Sequence, residues 1–253
     1  MTYSKISPWL VCPSPNPQAS LRLFCFPYAG GGPAIFHAWL DDLPPGVEMC
    51  AAQLPGRGSR IKEAPYTRVA SLVQALGEAL HPHLDRPFAF FGHSLGALVA
   101  FELSRELRRQ HDLLPVHLFV SGCGAPQSLD PHPPIGMLPD TAFLEELRQL
   151  NGTPAEVLEH EELMQLLLPT LRADFTARET YAYVDEPPLD CPISAFGGMQ
   201  DGRVERDRLE AWRDQTSGLF SLHTFPGDHF FLHSSQSLLL QTLSQALEQQ
   251  GTW

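Results

Sequence analysis

No uninterrupted apolar stretch reaches the roughly eighteen residues that a membrane-spanning helix needs, so no helical bilayer span is expected. Residues 1–10 lack a basic segment followed by an apolar core, and no secretory signal is expected there. Internal repeats and low-complexity tracts are absent. Basic charge is scarce, with 17 Lys and Arg against 29 Asp and Glu and a net charge of -12. The pI is near 5.3. Nucleic acid is therefore excluded as a main partner, because binding phosphates needs a basic face. Whole-molecule steering toward an acidic protein is disfavoured for the same reason. Cysteine is sparse, and the five (Cys12, Cys25, Cys50, Cys123, Cys191) form no Cys-x-x-Cys pair and no metal-ligand spacing. Cys25 and Cys50 lie in apolar runs, where a thiol is expected to behave as a small buried hydrophobe. A reducing, cytoplasmic setting follows from that reading.

What is present is an ordinary globular composition, 253 residues with 43% hydrophobic and 18% charged, enough for one large domain or two small ones. The most informative stretch is Phe88-Ala89-Phe90-Phe91-Gly92-His93-Ser94-Leu95-Gly96-Ala97. An aromatic-rich run reads as a buried strand, and residues 97–109 carry helical signals. Strand, sharp turn with a serine at its apex, then helix is the context of a Gly-x-Ser-x-Gly nucleophile elbow. Side chains at positions 92 and 96 would crowd the neighbouring strand and helix, and the serine must hold a strained backbone. The plain alternative is a tight turn carrying a solvated serine.

Along the chain, strands are expected at 7–13 (a short edge), 21–27, 47–54 and 114–121 around the elbow strand. Helices are expected at 34–40 and 68–81, the latter with Leu72, Leu76 and Leu80 on one face. This alternation argues for an α/β protein with a mostly parallel sheet and helices on both faces. The pattern breaks at the proline-rich stretch 126–134, and from 140 to 183 only helices are expected, separated near Asn151-Gly152 and at Pro169. The domain expectation is a core of 1–125 and 186–253 with a helical lid insertion at 126–185, the plain alternative being a decorative subdomain. Strands resume at 191–196 and 219–225, with helices at 204–215 and from Ser234 or Ser235 onward.

The glycine loop Tyr28-Ala29-Gly30-Gly31-Gly32 follows a strand without Gly-x-Gly-x-x-Gly spacing and without a following Gly-Lys-Ser/Thr. Presenting backbone N–H groups to an oxyanion is the favoured use. The loop Pro55-Gly56-Arg57-Gly58-Ser59-Arg60 is expected to be solvated, with an anion site as the alternative. A serine nucleophile needs a base, and of eleven histidines His229 follows the last strand, on the elbow's edge of the sheet. Asp201 directly follows a strand and is the chosen acid, ahead of Asp228 and Asp190. The order Ser94, Asp201, His229 is that of elbow hydrolases, with the N–H groups of Leu95 and Ala29 as oxyanion donors.

With these residues in hand, the chain resembles the type II thioesterases of polyketide and nonribosomal peptide pathways, a family that includes the medium-chain thioesterase of animal fatty acid synthase. The matching motifs are Phe26-Pro27-Tyr28-Ala29-Gly30-Gly31, Leu54-Pro55-Gly56-Arg57, Phe90 through Ala97, Leu171-Arg172-Ala173-Asp174 and Gly227-Asp228-His229-Phe230. The resemblance implies an α/β-hydrolase fold with a helical lid, a triad of Ser94, Asp201 and His229, and an oxyanion hole at Ala29 and Leu95. It also implies hydrolysis in trans of acyl thioesters on carrier-protein phosphopantetheine. A monomer is expected, with no cofactor, no metal, no membrane and no nucleic-acid partner. Tyr28 stands where many relatives have histidine and Gly58 where many have glutamate, both expected near the entrance. Arg57, Arg60, Arg172 and Arg178 are the candidates for contacting a carrier. Two other readings remain open: a small-molecule carboxylesterase or lipase on the same fold, and a non-catalytic carrier-binding accessory.

Overall fold

The computed structural model describes residues 4–128 and 132–249. The chain begins with strands β1 (Ser4–Ser7), β2 (Leu10–Cys12), β3 (Leu21–Phe26) and β4 (Val47–Ala52). Helix α1 (Val69–Leu80), β5 (Phe88–His93), α2 (Leu95–His111) and β6 (His117–Ser121) follow. Three helices, α3 (Asp140–Leu150), α4 (Ala155–Leu158) and α5 (Glu161–Glu179), then precede β7 (Ile193–Gly198). Helix α6 (Arg206–Glu210), β8 (Phe220–Phe225), α7 (Phe231–Ser234) and α8 (Gln236–Gln249) complete it. The eight strands form one sheet in the order β1-β2-β4-β3-β5-β6-β7-β8. From β4 to β8 every pairing is parallel, whereas β1 and β2 add an antiparallel edge.

Alternation along the central strands divides the core. In β5, Phe88 and Phe90 pack with α1 and α2, while Ala89 and Phe91 pack with Trp39 and with Leu239, Leu240 and Leu243 of α8. Strand β3 does the same, with Phe24 and Phe26 on the first face and Leu23 and Cys25 on the second. Each of these fully buried phenylalanines contributes about 1.5–3 kcal/mol of transfer free energy. Both faces are covered, which is why the central strands read as continuous apolar runs. A third, separate apolar cluster lies in the insertion, around Phe143, Leu147, Met164 and Leu171.

Four expectations are corrected. The edge strand at 7–13 is two strands, joined by a tight turn and paired antiparallel. The segments at 34–40 and 211–215 are tight 3-10 turns, Pro33–Trp39 and Ala211–Gln215. Each buries residues three apart, Phe36 with Trp39 and Trp212 with Gln215, and a three-residue period aligns such pairs on one side. Pro169 does not separate two helices but lies inside α5. Finally, Cys50 is no free thiol: it is disulfide-bonded to Cys12. The antiparallel register Leu10↔Ala52 and Val11↔Ala51 continues to set Cys12 opposite Cys50, with Cα atoms 4.3 Å apart. No local spacing could reveal a pair separated by 38 residues. Cys25, Cys123 and Cys191 are buried thiols. Among the described residues, no helix is long and apolar enough to cross a membrane.

Candidate active site

Ser94 stands between β5 and α2 with φ 54° and ψ -116°, a conformation that is strained for any residue bearing a Cβ. Its neighbours explain the two glycines. A Cβ on Gly92 would lie 2.1 Å from the Gly96 carbonyl oxygen, and one on Gly96 would lie 2.1 Å from that of Phe26. The turn is further tied to the sheet by the Ser94 N–H, which donates to the Ser121 carbonyl at 2.7 Å. Leu95 is the first residue of α2, so its N–H has no intrahelical partner and points out at the positive end of the helix.

Asp201 follows β7 and His229 follows β8, and the structure brings them together, with His229 Nδ1 2.8 Å from Asp201 Oδ2. The other carboxylate oxygen accepts from the N–H groups of Arg203 (2.8 Å) and Val204 (3.3 Å). Burial by itself would raise the Asp201 carboxyl. The hydrogen bond and charge of His229, with the two backbone donors, outweigh it and hold the group below its usual range. An ionised Asp201 requires the proton on His229 Nδ1, which leaves Nε2 with a free lone pair. Asp228 is occupied elsewhere, accepting from the Phe230 N–H and from Asn151. Asp190 binds Ser217.

Ser94, His229, Ala29 and Tyr28 all line one cavity of about 700 Å³, walled on the insertion side by Leu171 and Phe175 of α5. No hydrogen bond joins Ser94 Oγ to His229 among the described residues. Such contacts are commonly long in unliganded sites and tighten around substrate. His93 turns away from the cavity. It is fully buried, with Nδ1 2.9 Å from Ser121 Oγ and its ring packed against those of His229 and Phe231. Burial, and then the charge of His229, keep His93 neutral far below its usual titration range.

The Arg57 and Arg60 loop is not solvated, contrary to expectation. Both side chains are buried, Arg57 on Asp174 at 2.7 Å and Arg60 on Glu63 at 2.6 Å, with the Arg60 guanidinium over the Trp9 ring. The reason lies in the insertion, which lays α5 across this loop: Thr170 donates to the Gly56 carbonyl at 2.6 Å. Arg172 pairs with Asp140, and Arg178 lines the cavity, so the four arginines form no common patch. Of the two departures from family pattern, Tyr28 does stand at the cavity, its hydroxyl 3.2 Å from His233 Nε2. Gly58 does not line it and instead lies against Gln53. Sequence reasoning misses the Arg57–Asp174 pair, although Arg57 ends the Leu54-Pro55-Gly56-Arg57 motif and Asp174 ends Leu171-Arg172-Ala173-Asp174.

The mostly parallel sheet with helices on both faces, and the strained turn between β5 and α2, are those of the α/β-hydrolase fold. The chain belongs to the thioesterase family, whose Thioesterase domain matches residues 21–247. The Gramicidin S biosynthesis protein GrsT of Aneurinibacillus migulanus is 46% identical over 248 residues, covering 98% of this chain and 97% of that protein. A Brevibacillus parabrevis protein named Linear gramicidin dehydrogenase LgrE is 49% identical over 250 residues, covering 98% and 95%. The solved type II thioesterase BorB, from the borrelidin biosynthetic cluster, superposes with a TM-score of 0.88 at 35% identity, covering 96% of this chain and 98% of that one. The resemblance to type II thioesterases and the expected fold are thus borne out. The glycine loop lacks Gly-x-Gly-x-x-Gly spacing, and its Gly30 N–H is bonded to Asp174 at 2.7 Å.

Proposed function

We propose that this protein hydrolyses acyl thioesters on the phosphopantetheine arm of carrier proteins. It acts in trans, as a monomer, and clears aberrant or stalled acyl groups from a polyketide or nonribosomal peptide synthase. In this reading His229 Nε2 takes the Ser94 proton as Oγ attacks the thioester carbonyl. The tetrahedral oxyanion is held by the N–H groups of Ala29 and Leu95. The intermediate collapses to an acyl-serine as the thiol leaves with a proton from His229, and water activated by the same imidazole releases the acid. Asp201 orients the ring and stabilises its cation.

The observation that carries this reading is the His229–Asp201 hydrogen bond of 2.8 Å, made at the cavity that Ser94 lines. The relatives from antibiotic pathways support a thioester over an oxygen ester, since a triad alone does not distinguish them. The expected insertion, 126–185, serves as the lid; its residues 129–131 lie outside the described residues. In support, Leu171 and Phe175 wall the cavity, and Asn151 hydrogen-bonds Asp228 beside the histidine at 3.1 Å. Comparing kcat/KM for one acyl group on a carrier protein, on coenzyme A and on a simple alcohol tests the substrate class. Preference for the carrier thioester is expected, and preference for the simple ester would make the protein a carboxylesterase.

A further inference from the structure

The Arg57–Asp174 ion pair is buried, with each residue no more than 5% exposed. A buried pair is a poor source of net stability, because desolvating two charges offsets most of their attraction. Its geometry suggests another purpose. Asp174 divides its oxygens: Oδ1 accepts from Arg57 Nη2, while Oδ2 accepts from the Gly30 N–H, each at 2.7 Å. Arg57 uses its other terminal nitrogen, Nη1, to donate to the Gly31 carbonyl at 2.9 Å. One charged pair therefore holds a donor and an acceptor of the same glycine loop.

That loop is a tight turn, closed by the Gly31 N–H donating to the Tyr28 carbonyl at 2.9 Å. Gly30, at its third position, has φ 77°, the value a type II turn demands there. The peptide between Ala29 and Gly30 is the central one of the turn, and Asp174 grips its N–H. In a trans peptide the C=O and N–H point in opposite directions, so the bonded Tyr28 carbonyl sends the Ala29 N–H away from the turn. Helix α5 reinforces the grip. Leu171 lies so close to Gly30 that a Cβ there would come within 2.4 Å of its Cδ2, and Thr170 holds the adjoining Gly56 carbonyl.

We propose that Asp174, charged and held by Arg57, is a positioning residue that sets the glycine loop so that the Ala29 N–H serves as an oxyanion donor. The inference rests on the thioesterase reading above and deepens it. It makes the oxyanion hole a composite of the sheet and the helical insertion: displacing the second half of α5 dismantles the hole as well as uncovering the serine. An interaction realised only when the oxyanion forms lowers kcat when lost and leaves KM nearly alone.

The test is steady-state kinetics on an acetyl-loaded carrier protein, with thermal melts alongside. Arg57→Met combined with Asp174→Leu removes both charges, keeps the volume filled and deletes the acceptor for Gly30. The expected result is a cooperative melt with kcat lower by about 10- to 100-fold, since complete loss of one oxyanion donor costs about 10²–10³-fold. KM should stay within about threefold of wild type. Asp174→Asn, which leaves one acceptor oxygen for two donors, should lose less kcat than the pair, again at constant KM. A folded double variant with unchanged kcat overturns the proposal; should that variant not fold, an unchanged kcat in Asp174→Asn does so. An enzyme that needs Ser94 yet is indifferent to both substitutions refutes only this inference, whereas indifference to Ser94→Ala refutes the functional reading beneath it.

Discussion

His229 and Asp201 meet at 2.8 Å, and the Asp201 side chain is sealed from solvent while the imidazole reaches the cavity. The carboxylate fixes the tautomer by accepting from Nδ1. Asp201→Asn can present its amide nitrogen to the ring and favour the opposite tautomer. A fall in kcat of about 10³–10⁴-fold is expected, with an unchanged far-ultraviolet spectrum. Measuring turnover of an acyl-carrier substrate by the variant checks this; a loss under tenfold would deny Asp201 the role.

His117 predicts an acid-sensitive fold. It lies buried between β5 and β7, stacked on Phe119, with Nε2 2.8 Å from Ser194 Oγ and with no partner for Nδ1 among the described residues. Burial lowers its pKa to about 4. Between that value and about 6.5 the unfolded chain binds a proton that the folded chain refuses. Stability is therefore full above pH 6.5 and falls as the pH drops toward 4, by on the order of 3 kcal/mol from this residue. Urea unfolding at pH 7 and pH 5 should show the decline, and His117→Gln should make it smaller, the remainder coming from His93, which burial also keeps neutral.

Gly96→Ala should fail for a steric reason. Its Cβ would meet the Phe26 carbonyl at 2.1 Å, and both partners are backbone, so neither can swing aside. A destabilisation of about 3 kcal/mol or more is expected, measured as a shift in the urea midpoint at unchanged slope. Gly202, where an added Cβ would meet nothing within 4 Å, should accept alanine without loss and serves as the control.

Closing the insertion over the cavity should slow turnover. Asn151 and Asp228 touch across its edge, and Cys25, Cys123 and Cys191 are buried. A short cleavable bis-thiol crosslink between cysteines placed at 151 and 228 is expected to lower kcat/KM and to leave the melting temperature no lower. Cleaving the linker should restore activity. Unchanged kinetics in the linked protein would make the insertion decoration.

The sequence is most legible where chemistry and local geometry coincide. Ser94 announces itself because two flanking glycines, an aromatic strand and a helix leave few other uses for the turn. Asp201 and His229 stand out from many acids and histidines because each follows a strand, and parallel strands bring such ends to one edge. Contacts that depend on distant segments stay hidden. Cys12 meets Cys50 only through strand register, and Arg57 looks solvated until α5 brings Asp174 from 117 residues away. Pro169 reads as a helix end, yet α5 runs through it. Helix period misleads in the same way at Trp39 and Trp212, where two buried residues three apart favour a tighter turn.

The most direct test of Ser94 as the acyl-accepting residue is turnover of an acyl-loaded carrier protein by wild type and by Ser94→Ala at matched fold content. Hydrolysis by wild type is predicted, with a loss on the order of 10³-fold or more in the variant. A Ser94→Ala protein that releases the acyl group as fast as wild type would contradict that role.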